Sequence, residues 1–231
     1  IPNLSSHNSM FFLSTPFAVE SATKGKRANR SQFPMDPNKG PWVGSITRLV
    51  PQKSPELIEE ALKTTLELGG CFLLLGSSPI PKMQAHFDLL KQKYKEDHRV
   101  LLEYTYDEAL AHQMYAALDF LVVPSLFEPC GLTQLIAMRY GTIPIVRSTG
   151  GLKDTVFDCE DSKNPIAQRN GFTFQVPSKA ALNAALKRAF QLFHSEPGTV
   201  RSLIRRGMES DFSWKKPAQE YLKLYISKKL S

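Results

Sequence analysis

The chain has 231 residues, 42% hydrophobic, 22% charged and 10% aromatic, enough to bury one large core. Thirteen Gly and sixteen Pro exclude a collagen-like or low-complexity chain. The net charge of +7 gathers at the ends, five Lys/Arg against two acids in residues 1–40 and eight against three in 201–231, so no basic stripe for nucleic acid is expected.

Residues 1–40 read as irregular, with Ser- and Asn-rich pieces, a basic stretch Lys24–Arg30 and then Pro34-Met35-Asp36-Pro37. Ile1–Phe17 has neither a basic start nor a clean apolar core and is not read as a signal peptide. With no initiator Met, the chain is expected to be a fragment or a mature product. From Trp42 strands and helices alternate. Val43–Arg48 is a strand. Ser54-Pro55-Glu56 opens a helix, with Ser54 as the expected N-cap and Pro55 at the first helical position. Leu57, Ile58, Ala61, Leu62, Thr65 and Leu66 form its apolar face, and Gly69-Gly70 ends it. Cys71–Leu75 is a strand, 80–95 a helix, Val100–Glu103 a strand, Tyr106–Ala117 a helix and Asp119–Val123 a strand. Gly131–Tyr140 is a helix and Ile143–Val146 a strand. A short helix comes after Gly151, then a strand at Phe172–Phe174 and helices over 178–194, 198–209 and 215–229. Short apolar strands without polar alternation, separated by helices, predict an α/β fold: a Rossmann-like parallel sheet with helices on both faces. No apolar run nears the ~20 residues of a membrane helix, so no membrane partner is expected. Cys71, Cys130 and Cys159 form no CxxC pair and suit a reducing compartment. The five His show no metal-ligand spacing, and no metal is expected.

In such sheets ligands bind beyond the carboxyl ends of the strands. Those positions hold Arg48 and Lys53; Gly76, Ser77 and Ser78; Tyr104 and Tyr106; Ser125 to Thr133, including Glu128; and Arg147 to Gly151. Cations, small residues, aromatics and one carboxylate on one rim suit a nucleotide-linked substrate. Each also has a plain reading. Arg48 and Lys53 are solvated charges, Gly76–Ser78 a turn, Tyr106 core as readily as platform, Glu128 a helix N-terminal acid, and Cys130 a small buried residue.

Three stretches carry a resemblance: Glu128-Pro129-Cys130-Gly131-Leu132-Thr133-Gln134, then Met138-Arg139-Tyr140-Gly141-Thr142, then Thr149-Gly150-Gly151-Leu152-Lys153-Asp154-Thr155-Val156. Together they resemble the C-terminal lobe of bacterial glycogen synthases and plant starch synthases. Gly44–Lys53 is similar to that family's first-strand phosphate motif, Tyr106-Asp107-Glu108-Ala109-Leu110 to its base-stacking loop, and Asp211-Phe212-Ser213-Trp214 to its C-terminal signature. Ile46–Lys53 and Ile136–Gly141 look most like the type III and IV starch synthases of plants and their chlamydial relatives. The resemblance implies one lobe of a two-lobed (GT-B) retaining glycosyltransferase. That enzyme would move glucose from ADP-glucose to the non-reducing end of an α-1,4-glucan without a metal or other cofactor. Arg48 and Lys53 would meet the donor diphosphate, Glu128 the donor glucose, and the N–H groups of Gly131, Leu132 and Thr133 the phosphates. Tyr106 would stack on adenine, and Cys130 would limit space beside the sugar. The implied partners are the nucleotide-sugar donor, an α-glucan acceptor and the N-terminal lobe. The implied location is a plastid stroma or a bacterial cytoplasm.

Two departures stand out. The family places Gly after the lysine of its first motif, where this chain has Ser54. The family's Lys-x-Gly-Gly-Leu loop, which belongs to the N-terminal lobe, occurs nowhere in residues 1–231. The expected division is therefore 1–40 as the tail of that lobe and a linker, 41–213 as the nucleotide-sugar domain and 214–231 as a C-terminal helix. The apolar residues Tyr221, Leu222, Leu224, Tyr225 and Ile226 of that helix either face solvent or pack on its own lobe. The isolated chain is expected to be inactive. A sucrose- or lipid-directed retaining transferase shares the glutamate and lysine, and a non-catalytic scaffold that binds glucan or a partner synthase is the alternative of a different class.

Overall fold

Apolar runs of three to five residues form six strands: β1 (Trp42–Ile46), β2 (Cys71–Leu75), β3 (Val100–Glu103), β4 (Phe120–Val123), β5 (Ile143–Arg147) and β6 (Phe172–Phe174). The computed structural model describes residues 25, 26 and 28–229. The strands form one parallel sheet in the order β3-β2-β1-β4-β5-β6. Side chains alternate between two apolar layers because successive strand residues point to opposite faces. Val43, Phe72, Leu74, Phe120 and Val122 enter one layer, with Ile58, Leu62 and Phe190. Trp42, Leu73, Leu75, Leu121 and Val123 enter the other, with Met114 and Tyr115. Burial on both faces explains why these strands lack polar alternation.

The helices are α1 (Pro55–Glu67), α2 (Pro81–Lys93), α3 (Glu108–Ala117), α4 (Thr133–Arg139), α5 (Gly150–Thr155), α6 (Lys179–Ser195), α7 (Pro197–Glu209) and α8 (Lys215–Lys229). Two helices start two residues later than the sequence reading, and a third is capped differently. The helix expected from Tyr106 begins at Glu108, because the Asp107 carboxylate caps it by accepting the Leu110 N–H at 2.9 Å. The helix expected from Gly131 begins at Thr133, because Gly131 is in the left-handed region at φ 75°. Ser54 precedes α1 as expected but does not cap it with its side chain. Its backbone is left-handed (φ 50°), whereas a capping hydroxyl needs an extended backbone.

Residues 25, 26 and 28–30 are helical rather than irregular. The cause is ionic. Arg30 pairs with Asp119 and donates from Nε to Ala117 O at 2.9 Å, and its guanidinium lies 4.9 Å from the Trp42 ring centre. Asp119 also accepts the Trp42 N–H at 2.8 Å. The buried Lys26 ammonium bonds Leu118 O and Thr142 Oγ1. This staple fastens the chain to the amino ends of β1 and β4. The remainder of the 1–40 expectation lies outside the described residues.

Burial pushes Lys26 down from 10.5 to about 8. The unfolded chain therefore binds the extra proton between pH 8 and 10.5, and this residue's contribution to stability rises with pH across that window. The unfolding free energy of the wild type minus that of Lys26→Met should increase from pH 8 to pH 10.5. A difference that stays flat or falls would contradict the assignment.

Candidate active site

The site begins where β1 and β4 lie side by side. The loop after β1 tightens into a 3-10 turn, Pro51–Lys53. Gln52 laces this turn to the loop after β4. Its carbonyl accepts the Leu126 N–H at 2.8 Å, and its side-chain amide donates to Phe127 O at 2.8 Å. Lys53 and Glu128 are thereby brought into an ion pair, their side chains 16% and 9% exposed. The Ser125 hydroxyl donates to the same Glu128 oxygen at 3.1 Å.

The Glu128 loop is fixed from three further sides. Arg147, at the end of β5, donates to Ser125 O at 2.8 Å, to Leu126 O and to Gln175 O. Gly150 and Gly151 let α5 press against the loop backbone. The Gly151 N–H donates to Glu128 O at 2.9 Å, and Cβ atoms at the two positions would collide with Glu128 O and Cys130 O. Gln134, fully buried in the first turn of α4, donates to Gly131 O at 2.8 Å and Thr155 Oγ1 at 3.1 Å. Thr155 in turn donates to Gly151 O at 2.7 Å.

Arg48 is exposed and lines a cavity of about 380 Å³, together with Gly76, Ser77, Tyr106 and His112. Tyr106 is 92% exposed, which removes its reading as core. Cys130 is exposed, not the small buried residue that its type suggested. It stands two residues from Glu128 with its carbonyl against Gly151. The N–H groups of Gly131, Leu132 and Thr133 have no partner among the described residues. Leu132 and Thr133 stand at the start of α4 and Gly131 lies just ahead of it, in the loop.

The structure thus brings Lys53, Glu128, Cys130, Gly131, Leu132 and Thr133 into one neighbourhood and sets Arg48 and Tyr106 in the adjoining cavity. Two cations, free amide donors and an open aromatic can receive a nucleoside diphosphate, and the carboxylate can receive sugar hydroxyls. Sequence reasoning gave Gln52 and Gln134 no role of their own and counted Ser125 and Arg147 only among the residues after β4 and β5. The available signal was polar side chains at positions where burial was expected, as with Gln134 in α4.

Residues 27–196 match the family model of the group 1 glycosyl transferases, and the chain belongs to that family. Relatives at 40–48% identity are glycogen and starch synthases. The probable starch synthase 4 of Arabidopsis thaliana is 48% identical over 209 residues, 90% of this chain and 20% of that protein. Glycogen synthase 2 of Methylococcus capsulatus is 46% identical over 207 residues, 90% of this chain and 42% of that one. The catalytic domain of starch synthase IV from Arabidopsis thaliana, bound to ADP and acarbose, matches with a TM-score of 0.88 and 45% identity. That match covers 95% of this chain and 47% of the other. The chain spans less than half the length of each of these relatives.

Ser54, directly after Lys53, combines a left-handed backbone with a buried hydroxyl that has no partner among the described residues. Both are destabilising, by about 1 kcal/mol for the backbone and ~1–3 kcal/mol for the hydroxyl. A glycine would return part of this as unfolded-state entropy. Ser54→Gly should raise the unfolding free energy by about 1 kcal/mol in a denaturant titration. A loss of stability would refute the strain at this position.

Proposed function

We propose that this chain is the donor-binding half of a glycogen or starch synthase, transferring glucose from ADP-glucose to the non-reducing end of an α-1,4-glucan with retention. The observation that carries the reading is the Lys53–Glu128 pair beside the Arg48–Tyr106 cavity. The ADP and acarbose bound to the Arabidopsis starch synthase IV domain support both the nucleotide and the glucan.

In this reading Arg48 and Lys53, rather than a metal ion, take the charge that develops on the departing diphosphate. Lys53 exchanges partners as the donor enters, turning from the Glu128 carboxylate to a phosphate oxygen. Glu128 is then free for the glucose hydroxyls and for the positive character that grows at the anomeric carbon. The free N–H groups of Gly131, Leu132 and Thr133 hold the phosphates, Tyr106 covers the base, and Cys130 limits the space beside the sugar.

The second half of the reaction centre belongs to an N-terminal lobe. Phe127 and Leu132 stand exposed at the rim beside the ion pair, apolar surface of the kind a closing lobe covers. Transfer requires that closure to align the acceptor and exclude water, so the chain alone has no appreciable activity. The names of the relatives, plastid and bacterial enzymes, support a plastid stroma or a bacterial cytoplasm as its location.

ADP at 100 times its Kd should stabilise the chain by about 2.7 kcal/mol, and UDP should stabilise it less. Lys53→Ala should abolish the ADP shift. No ADP shift in the wild type, read by thermal unfolding, would defeat the proposal. The partner exchange makes a separate claim. Glu128→Gln frees Lys53 from its internal partner, so ADP should bind about two- to fivefold tighter by calorimetry, as expected for removing one competing charge. Weaker ADP binding would rule the exchange out. Measurable glucose transfer from ADP-glucose by the 231-residue chain would contradict the need for a second lobe.

A further inference from the structure

The cavity next to Arg48 has a polar back wall that the transfer chemistry leaves unused. His112 stands there on α3 and lines the cavity. Its Nδ1 lies 2.8 Å from the hydroxyl of Tyr140, the residue that ends α4. Tyr140 is braced from behind by Tyr115, their rings stacked with centroids 6.0 Å apart and planes 26° apart. Burial pushes the Tyr140 hydroxyl above its ordinary range, so it keeps its proton. Where this hydroxyl donates to Nδ1, the imidazole proton sits on Nε2.

Among the described residues Nε2 makes no hydrogen bond. Glu108, on the wall of the same cavity, is 3.9 Å away, beyond hydrogen-bonding distance. The Asp107 carboxylate is occupied in capping α3. With the Tyr140 hydroxyl donating to Nδ1, the wall between Tyr106 and Ile136 presents one oriented N–H donor near the Asp107 and Glu108 carboxylates.

We propose that His112, oriented by Tyr140, determines base specificity by donating its Nε2–H to a ring nitrogen of a purine. The proposal rests on the reading that this cavity receives the base of the donor nucleotide. With its phosphates held at Arg48 and its base under Tyr106, a bicyclic base extends one ring further towards α3 than a pyrimidine does. A purine edge also offers ring nitrogens that carry no hydrogen, which are the natural acceptors for this N–H. His112 is the specificity determinant, and Tyr140 is a positioning residue that acts through it.

Calorimetry with ADP and UDP, the latter at millimolar concentration, tests this on the 231-residue chain. His112→Ala should weaken ADP about five- to tenfold, the worth of one hydrogen bond, and leave UDP unchanged. His112→Gln keeps an N–H donor and should recover most of the ADP affinity. Tyr140→Phe should weaken ADP about threefold with UDP unchanged, a change in selectivity that a purely structural role would not produce. Equal losses for ADP and UDP, or no loss for ADP, would overturn the role of His112. Tyr106→Ala separates the two levels. If it weakens ADP while the His112 variants do not, the cavity reading stands and this proposal falls. If it leaves ADP binding unchanged, the cavity is not the base site and both fall.

Discussion

Lys53 and Glu128 meet only because β1 and β4 are neighbours. The chain runs outward from β1 through β2 to β3 and then crosses back to lay β4 on the other side of β1. The loops after β1 and β4 therefore leave the sheet side by side and turn away from each other, opening a crevice. Gln52 closes the base of that crevice with two bonds to the backbone of the β4 loop. Every other site feature takes its position from this join. Arg48 flanks it on the β2 side, and Gly150 and Gly151 press on it from the β5 side.

The two ends of the sheet use charge in opposite ways. At the amino end Lys26, Arg30 and Asp119 are buried, and their bonds go to one another, to the Thr142 hydroxyl and to main-chain atoms at element ends. These charges are consumed by the architecture, and breaking such buried contacts costs stability. At the carboxyl end Arg48 is exposed, and Lys53 holds one carboxylate, which in the proposed reading a phosphate replaces. A basic chain with a nearly neutral middle thus places its functional positive charge by topology rather than by local density.

Most of the fold was legible because the strands are buried on both faces. Cys71–Leu75 and Phe120–Val123 are continuous apolar runs that match their structural boundaries closely. The motif from Glu128 to Gln134 was legible for a different reason, its likeness to known sequences. The features that escaped the sequence reading share one physical cause. Gln52, Arg147 and Gln134 all bond to main-chain carbonyls, and for Gln52 and Arg147 the partners are more than twenty residues away, contacts that no spacing rule encodes. Ser54 shows the converse. Its residue type suits an N-cap, but the turn that aims Lys53 demands a left-handed backbone there, and the hydroxyl loses its role. Lys26 and Arg30 read as part of a basic tail because Asp119, which neutralises Arg30, lies 89 residues further on.

The close approach of Gly150 and Gly151 to the carbonyls of Glu128 and Cys130 bears on how this sequence can drift. The contact is between main chains, so no choice of side chain elsewhere can make room for a Cβ at either position. Lys153 and Asp154, one turn along the same short helix, are exposed and meet no such barrier. Two codons closed to every replacement therefore sit beside two that are open. Selection for catalysis and selection for folding become indistinguishable at the glycines, because the movement that would accommodate a side chain is the one that displaces the carboxylate.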